Sequence, residues 1–259
     1  MLAIVANRTM RGRFVYELPE NLTEVYEVYL EDVDWVRKRK EGRSLLKLSD
    51  REYRALRCLI LNQYIDWSVL FQMFRAKEIS LNDLLMGEDF YRAVRDCYDL
   101  QFSQIVFSDF LWTMRSIYLP LFLVLKTDVP KADLYHCVAT GYAGVIGCMA
   151  KDLHGSRILI SEHGIYTRER EEELIRAKCC RGIYKNIWID QFHKMSSLAY
   201  QEADLVTSLY EHARELQMEL GCPAEKTVVT PNGIDTKKLE HLPRKKEEDK
   251  KYIHLGAIL

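Results

Sequence analysis

From residue 132 onward the chain repeats one grammar: a short apolar run, a turn, a helical stretch and another apolar run. Residues 133–139, 157–160, 204–208 and 226–230 supply the apolar runs. A helix opens at Thr140-Gly141 and ends near His154-Gly155, a long helical stretch runs over 169–203 with a break expected at Arg181-Gly182, and another covers 210–220. Strands that alternate with helices pair in parallel through crossovers. The expectation is therefore an α/β fold built on a Rossmann-like parallel sheet. In such a sheet, ligands bind in the loop just past the carboxyl end of a strand. Residues 161–167, which leave the run 158–160, are the first such loop to inspect.

The first half of the chain reads differently. Residues 2–6 are a short buried strand and 7–12 a polar loop, with strand-like runs at 15–18 and 22–30 and a loop with a helical turn at 33–43. Ser49-Asp50-Arg51-Glu52 then fits a capping box, in which serine and glutamate satisfy each other's free backbone donors. Leu56, Leu59, Ile60, Gln63, Trp67 and Leu70 follow at helical spacing. Ser80 opens a second helix, and 90–100 and 107–125 are helical too. Residues 49–125 thus form a helical insertion with no strand in it. Its aromatics (Trp67, Phe71, Phe74, Phe90, Tyr91, Tyr98, Phe102, Phe107, Phe110 and Trp112) make either a groove or the insertion's own core, and core is the commoner use of such residues.

Bulk properties exclude several classes. The formal net charge of -1 gives no electrostatic reason to expect nucleic acid or an acidic membrane as partner. The seven cysteines have no zinc spacing, and reduced thiols in a cytosolic protein are expected. The longest apolar run, 117–125, contains Pro120 and falls short of the ~20 residues of a membrane helix. No basic leader precedes the strand at 2–6.

Within the first loop, Glu162, His163 and Gly164 place a carboxylate, an imidazole and a turn residue side by side. Read by itself, His163 serves either as a ligand contact or as a loop filler. Gly141, Gly144 and Gly147 open a helix after a strand, which suits a phosphate at a helix N-terminus or, alternatively, tight packing of helix on sheet. The spacing is not that of a dinucleotide fingerprint, so no nicotinamide cofactor is expected. The glutamates at 169 and 171–173 suit the first turns of a helix. Glu162 and Glu169 form a carboxylate pair of unspecified separation. Ser208 and His212 lack a nucleophile elbow and are set aside as a catalytic pair. Pro231-Asn232-Gly233-Ile234-Asp235 is a rigid turn leaving the last strand.

Taken in order, Gly141-Tyr142-Ala143-Gly144, Ser161-Glu162-His163-Gly164, residues 204–208 and Thr230-Pro231-Asn232-Gly233-Ile234-Asp235 resemble family 4 glycosyltransferases of the two-domain GT-B type. Residues 11–19, 162–170 and 188–192 are similar, more narrowly, to the Pel exopolysaccharide glycosyltransferases. The resemblance implies retaining transfer from a nucleotide-sugar donor, usually a UDP-sugar, to a polysaccharide acceptor, with no cofactor and no metal. It implies His163 as the catalytic, sugar-facing residue, and Glu162, Gly164, Gly141, Gly144, Ser208, Asn232 and Gly233 as substrate-binding. It further implies a cytoplasmic protein, peripheral to the inner membrane through a membrane-bound polysaccharide synthase complex, with no nucleic-acid partner.

The resemblance departs at both ends. Residues 2–6 match the family's second strand, so its first strand and glycine-rich loop are expected to be missing. Residues 1–241 correspond to the acceptor-side domain, and 242–259 to a linker and the first strand of the nucleotide-binding domain. The chain alone is then expected to be inactive in transfer. The alternatives are a non-catalytic glycan- or partner-binding module and a fragment that folds poorly.

Overall fold

The structure, a computed structural model, describes residues 1–5, 8–14, 17–30, 46–77, 79–177, 182–238 and 240–241. The expected loop at 33–43 and the expected linker and strand at 242–259 lie outside them.

Strands β1 (Leu2–Val5) and β2 (Tyr26–Tyr29) pair in parallel, with Ile4 opposite Val28. The strand-like run expected at 22–30 contracts to β2, and the run expected at 15–18 lies half outside the described residues, with 17 and 18 in no strand. The Leu22 amide donates to the Pro19 carbonyl over 2.9 Å, which closes a turn, and pairing starts only where the Tyr26 amide reaches the Met1 carbonyl.

The insertion comprises α1 (Asp50–Ile60), α2 (Trp67–Ala76), α3 (Leu81–Leu85), α4 (Glu88–Cys97) and α5 (Phe107–Lys126). Ser49 and Glu52 form the expected capping box at the start of α1. Helix α5 continues through Pro120, whose ring removes one backbone donor. Phe90, Phe110, Tyr118 and Phe122 are fully buried, and Phe122 meets Phe74, Phe90 and Tyr118 at ring-centroid distances of 5.5, 6.3 and 5.7 Å. The aromatics thus build the insertion's core, while Tyr91 and Trp112 stay exposed. No described helix is long and apolar enough to cross a membrane.

The second half is the α/β unit: β3 (Leu134–Cys137), α6 (Tyr142–His154), β4 (Arg157–Ser161), α7 (Tyr166–Arg176), α8 (Ile183–Glu202), β5 (Leu205–Ser208), α9 (Glu211–Glu219) and β6 (Thr227–Val229). Its strands form one parallel sheet in the order β3-β4-β5-β6. Gly155 ends α6 in the left-handed region, at φ 70°, which its missing Cβ makes inexpensive. With the parallel pair β1-β2, this is the α/β, Rossmann-like architecture expected.

Alternation along the strands sorts the two faces of the four-stranded sheet. Cys137, Ile158, Ile160 and Val206 are buried on one face, where Gly147 of α6 lies against Cys137 and Ile158. The other face carries Leu134, Leu205 and Val228, which are 53%, 38% and 46% exposed. Parallel sheets are normally covered on both faces; among the described residues only one face is covered here.

The insertion is bolted to the α/β half by Lys194 of α8. Its amine donates to the Leu59 carbonyl at 2.9 Å and to the Tyr118 hydroxyl at 3.2 Å, and the Tyr118 hydroxyl also donates to Leu59, at 3.0 Å. Burial lowers the pKa of this amine to about 8.

Candidate functional site

The sheet directs Thr140 and Gly141, the loop 162–165, Ser208 and the turn 230–235 to its carboxyl-terminal end, since they follow β3, β4, β5 and β6 in turn. At the centre is Glu162, only 2% exposed. Four donors converge on its carboxylate. The Thr140 hydroxyl reaches Oε1 at 3.1 Å and the Tyr166 backbone amide reaches the same oxygen at 3.5 Å. The Tyr200 hydroxyl and the Gln217 side-chain amide reach Oε2 at 2.6 and 3.1 Å. The Gln217 orientation follows from its acceptors, because the same nitrogen faces the Thr207 carbonyl at 3.4 Å. Burial raises the Glu162 pKa above the usual carboxylate value, against the pull of Tyr200, Gln217, Thr140 and the Tyr166 amide.

His163 stands exposed beside this buried carboxylate, with Gly164 next to it, and makes no hydrogen bond among the described residues. A Cβ on Gly164 would collide with the Glu169 carboxylate, the free end of a flexible side chain. Tyr166 closes the loop: its ring packs edge-on to Phe192 at 5.8 Å and lies beneath the Arg170 guanidinium. Burial pushes the Tyr166 hydroxyl up to about 12.

The glycines after β3 all face protein. A Cβ on Gly141 would enter the Tyr166 ring, one on Gly144 would lie 2.7 Å from the Ala199 Cβ, and one on Gly147 2.8 Å from the Cys137 sulfur. Gly144 lets α6 approach α8, and Gly147 lets α6 approach the sheet. Close packing is therefore what this geometry shows for the three.

Ser208 is buried, its hydroxyl has no hydrogen-bond partner among the described residues, and its carbonyl accepts the Thr230 amide at 2.7 Å. His212 is exposed and lies 3.3 Å from Glu215, so no nucleophile and base are assembled there. Asn232 and Gly233 are exposed, and the Asp235 carboxylate accepts the Lys237 amide at 3.2 Å to cap the short turn Thr236–Lys238. The acidic run on α7 forms helical ion pairs, Arg170–Glu173 and Arg176–Glu172, as a solvated face does. The structure thus brings Thr140, Gly141, Glu162, His163 and Ser208 to one end of the sheet, with Glu162 turned inward and His163 outward.

Two groups escape sequence reasoning. Thr140, Tyr200 and Gln217 reach Glu162 from 22, 38 and 55 residues away. No local pattern links them. On the open face, His136 Nε2 lies 2.8 Å from the Ser161 hydroxyl, which accepts from the Thr207 hydroxyl at 3.0 Å. This row became readable only once β3, β4 and β5 were known to be neighbours. Among the described residues no three His, Cys, Asp or Glu side chains are grouped as metal ligands would be. A concavity of about 540 Å³ lies by the amino-terminal end of β1 between Met1, Arg13, Phe14 and Leu18 and does not include His163.

Comparison with known proteins places this arrangement. A family model described as a domain of unknown function, DUF3492, matches residues 1–225. It is a domain found in glycosyltransferase-like proteins of family 4. No curated protein and no solved structure matches the chain. Because the match takes in β1, the whole insertion and the sheet as far as β5, the chain belongs to the DUF3492 family.

Proposed function

We propose that the chain forms the acceptor-side part of a retaining GT-B glycosyltransferase of the Pel exopolysaccharide type. The whole enzyme takes a sugar from a nucleotide donor, a UDP-sugar, and passes it to a growing polysaccharide, without a metal; the chain alone is inactive in transfer. The observation that carries this reading is the His163 loop. An exposed imidazole stands past the carboxyl end of a parallel strand, where α/β sheets bind ligands, next to Glu162, whose carboxylate a buried polar network holds. Membership in a family found in glycosyltransferase-like proteins supports the reaction class. In this role the His163 ring hydrogen-bonds a hydroxyl of the donor sugar and stabilises charge as the glycosidic bond loosens. The exposed Gly164, Asn232 and Gly233 contribute to the same wall, and the buried Gly141, Gly144 and Ser208 support it from within.

The test is titration of the chain with acceptor oligosaccharide and with UDP-sugar, read at the His163 ring by NMR, beside an assay of transfer. The expected result is a shift of the His163 signal by sugar, with binding lost in His163→Ala. Where transfer occurs, His163→Ala is expected to lower kcat by roughly 10²-fold, the effect of deleting one group that stabilises developing charge. A His163 signal that no sugar moves would overturn the proposal.

A second reading is a non-catalytic module that docks a membrane-bound synthase complex through the insertion. The exposed Leu100, Val106 and Trp112 favour it. Binding of glycan or partner that His163→Ala leaves unchanged and substitution of Trp112 abolishes would select this reading over the first.

A further inference from the structure

We propose that Glu162 is a positioning residue for His163 and that proton uptake by its carboxylate releases the loop 162–166. Only the consequence for a bound sugar rests on the proposed function; the loop behaviour does not.

The geometry assigns each partner a part. An ionised carboxylate only accepts hydrogen bonds and has room for about four. Here it receives four, from the β3–α6 loop, α7, α8 and α9. A protonated Glu162 must donate one bond instead. At Oε2 the proton would displace the Tyr200 O–H, the shortest of the four contacts at 2.6 Å, beside a Gln217 nitrogen that has no acceptor capacity. At Oε1 there is an outlet. Thr140 also lies 2.8 Å from the Ser196 hydroxyl, to which it can turn its own hydrogen, and its oxygen then accepts the Glu162 proton. The contact surrendered is the Tyr166 amide, the longest of the four at 3.5 Å. That amide opens α7 and ends the loop that carries His163.

The other titratable groups around the site do not oppose this. Burial pushes the Tyr200 hydroxyl upward and the Cys222 thiol up to about 11, so both are neutral across the relevant range. Tyr166 contributes its backbone amide while its own hydroxyl is pushed up to about 12. Among the described residues no cationic side chain bonds to Glu162. The balance of burial and donors places proton uptake above the usual carboxylate range.

Local and global stability then respond to pH in opposite directions. A carboxylate whose folded pKa is raised adds stability when protonated, and that stability is lost as pH rises through the folded pKa. The loop does the reverse and loosens as pH falls.

Amide hydrogen exchange on the full chain tests this without any sugar. As pH is lowered from neutral, the Tyr166 amide, corrected for intrinsic exchange, is expected to lose protection roughly fivefold, what losing one ordinary hydrogen bond gives. The amides of β4 stay protected. Glu162→Gln is expected to show the loosened loop at neutral pH and no step. Ser196→Ala, which removes the acceptor Thr140 must turn to, is expected to move the step to lower pH and covers the case in which Glu162→Gln fails to fold. A flat pH response of the Tyr166 amide in the wild-type chain, or a step that persists unchanged in Ser196→Ala, would overturn the proposal. Failure of the sugar titration with a step present would leave this inference standing and reject the functional reading.

Discussion

The helical insertion and the carboxyl end of the sheet are held together by different physics. Among buried polar residues of the described structure, only Arg115 lies in the insertion, where its Nε donates to the Leu85 carbonyl at 3.0 Å. The others, Glu162, Gln217 and Thr140 among them, lie in the α/β half. The insertion is stabilised by apolar area, which has no preferred direction and tolerates rearrangement. The site loops depend on directional bonds to one carboxylate, where each unmade bond leaves a buried group unsatisfied. Rigidity in the first region is diffuse. In the second it is concentrated at Glu162, next to the residue proposed to touch the sugar.

The largest effect is expected from Phe122→Ala, which empties a site bounded by Phe74, Phe90 and Tyr118. It should cost about 4 kcal/mol in urea unfolding. Exchange of the Tyr166 amide should change only through global unfolding; a selective loosening of the loop would break the contrast between the regions.

Glu162→Ala is expected to cost about 2 kcal/mol, because the Tyr200 hydroxyl and Gln217 amide are left buried without their acceptor. Here local exchange should rise well before global unfolding. A variant as stable as wild type would show that water satisfies these donors and that the network is not the keystone.

The smallest effect concerns Lys194, where the regions meet. Its amine releases a proton near pH 8 in the folded chain but only near 10.5 when unfolded. Between those values the unfolded chain binds more protons, so stability is expected to rise with pH, by about 1–2 kcal/mol once solvent access to the half-buried side chain is allowed for. Lys194→Met should flatten this rise in unfolding experiments run across the alkaline range. An unchanged slope would mean that another group carries it.

Much of this fold was legible because its signals are local. The capping box at Ser49, the left-handed stop at Gly155 and the helix start after Gly182 are decided within one turn of chain. The strands of the α/β half stand out because a parallel strand needs a helix before and after it. The N-terminal runs misled for the same reason: β-branched and aromatic residues at 22–30 suit a strand, but pairing depends on what lies alongside, and only Tyr26–Tyr29 faces β1. The loop at 161–167 was recognisable from its own residues, whereas the partners of Glu162 were not.

The alternation of strand and helix, the helical run at 49–125 and the imidazole at the carboxyl end of β4 follow from the order of residues alone. Periodicity, caps and turns act over a few residues and do not wait for the rest of the chain. Long-range packing turns Glu162 inward and His163 outward, sets Gly141, Gly144 and Gly147 against Tyr166, α8 and the sheet, and leaves one sheet face open among the described residues. Glu162 and His163 lie in the loop past the end of β4, where no strand alternation sets which side chain turns inward. Which surrounding is protein and which is water is settled by elements that fold back from 22 to 55 residues away.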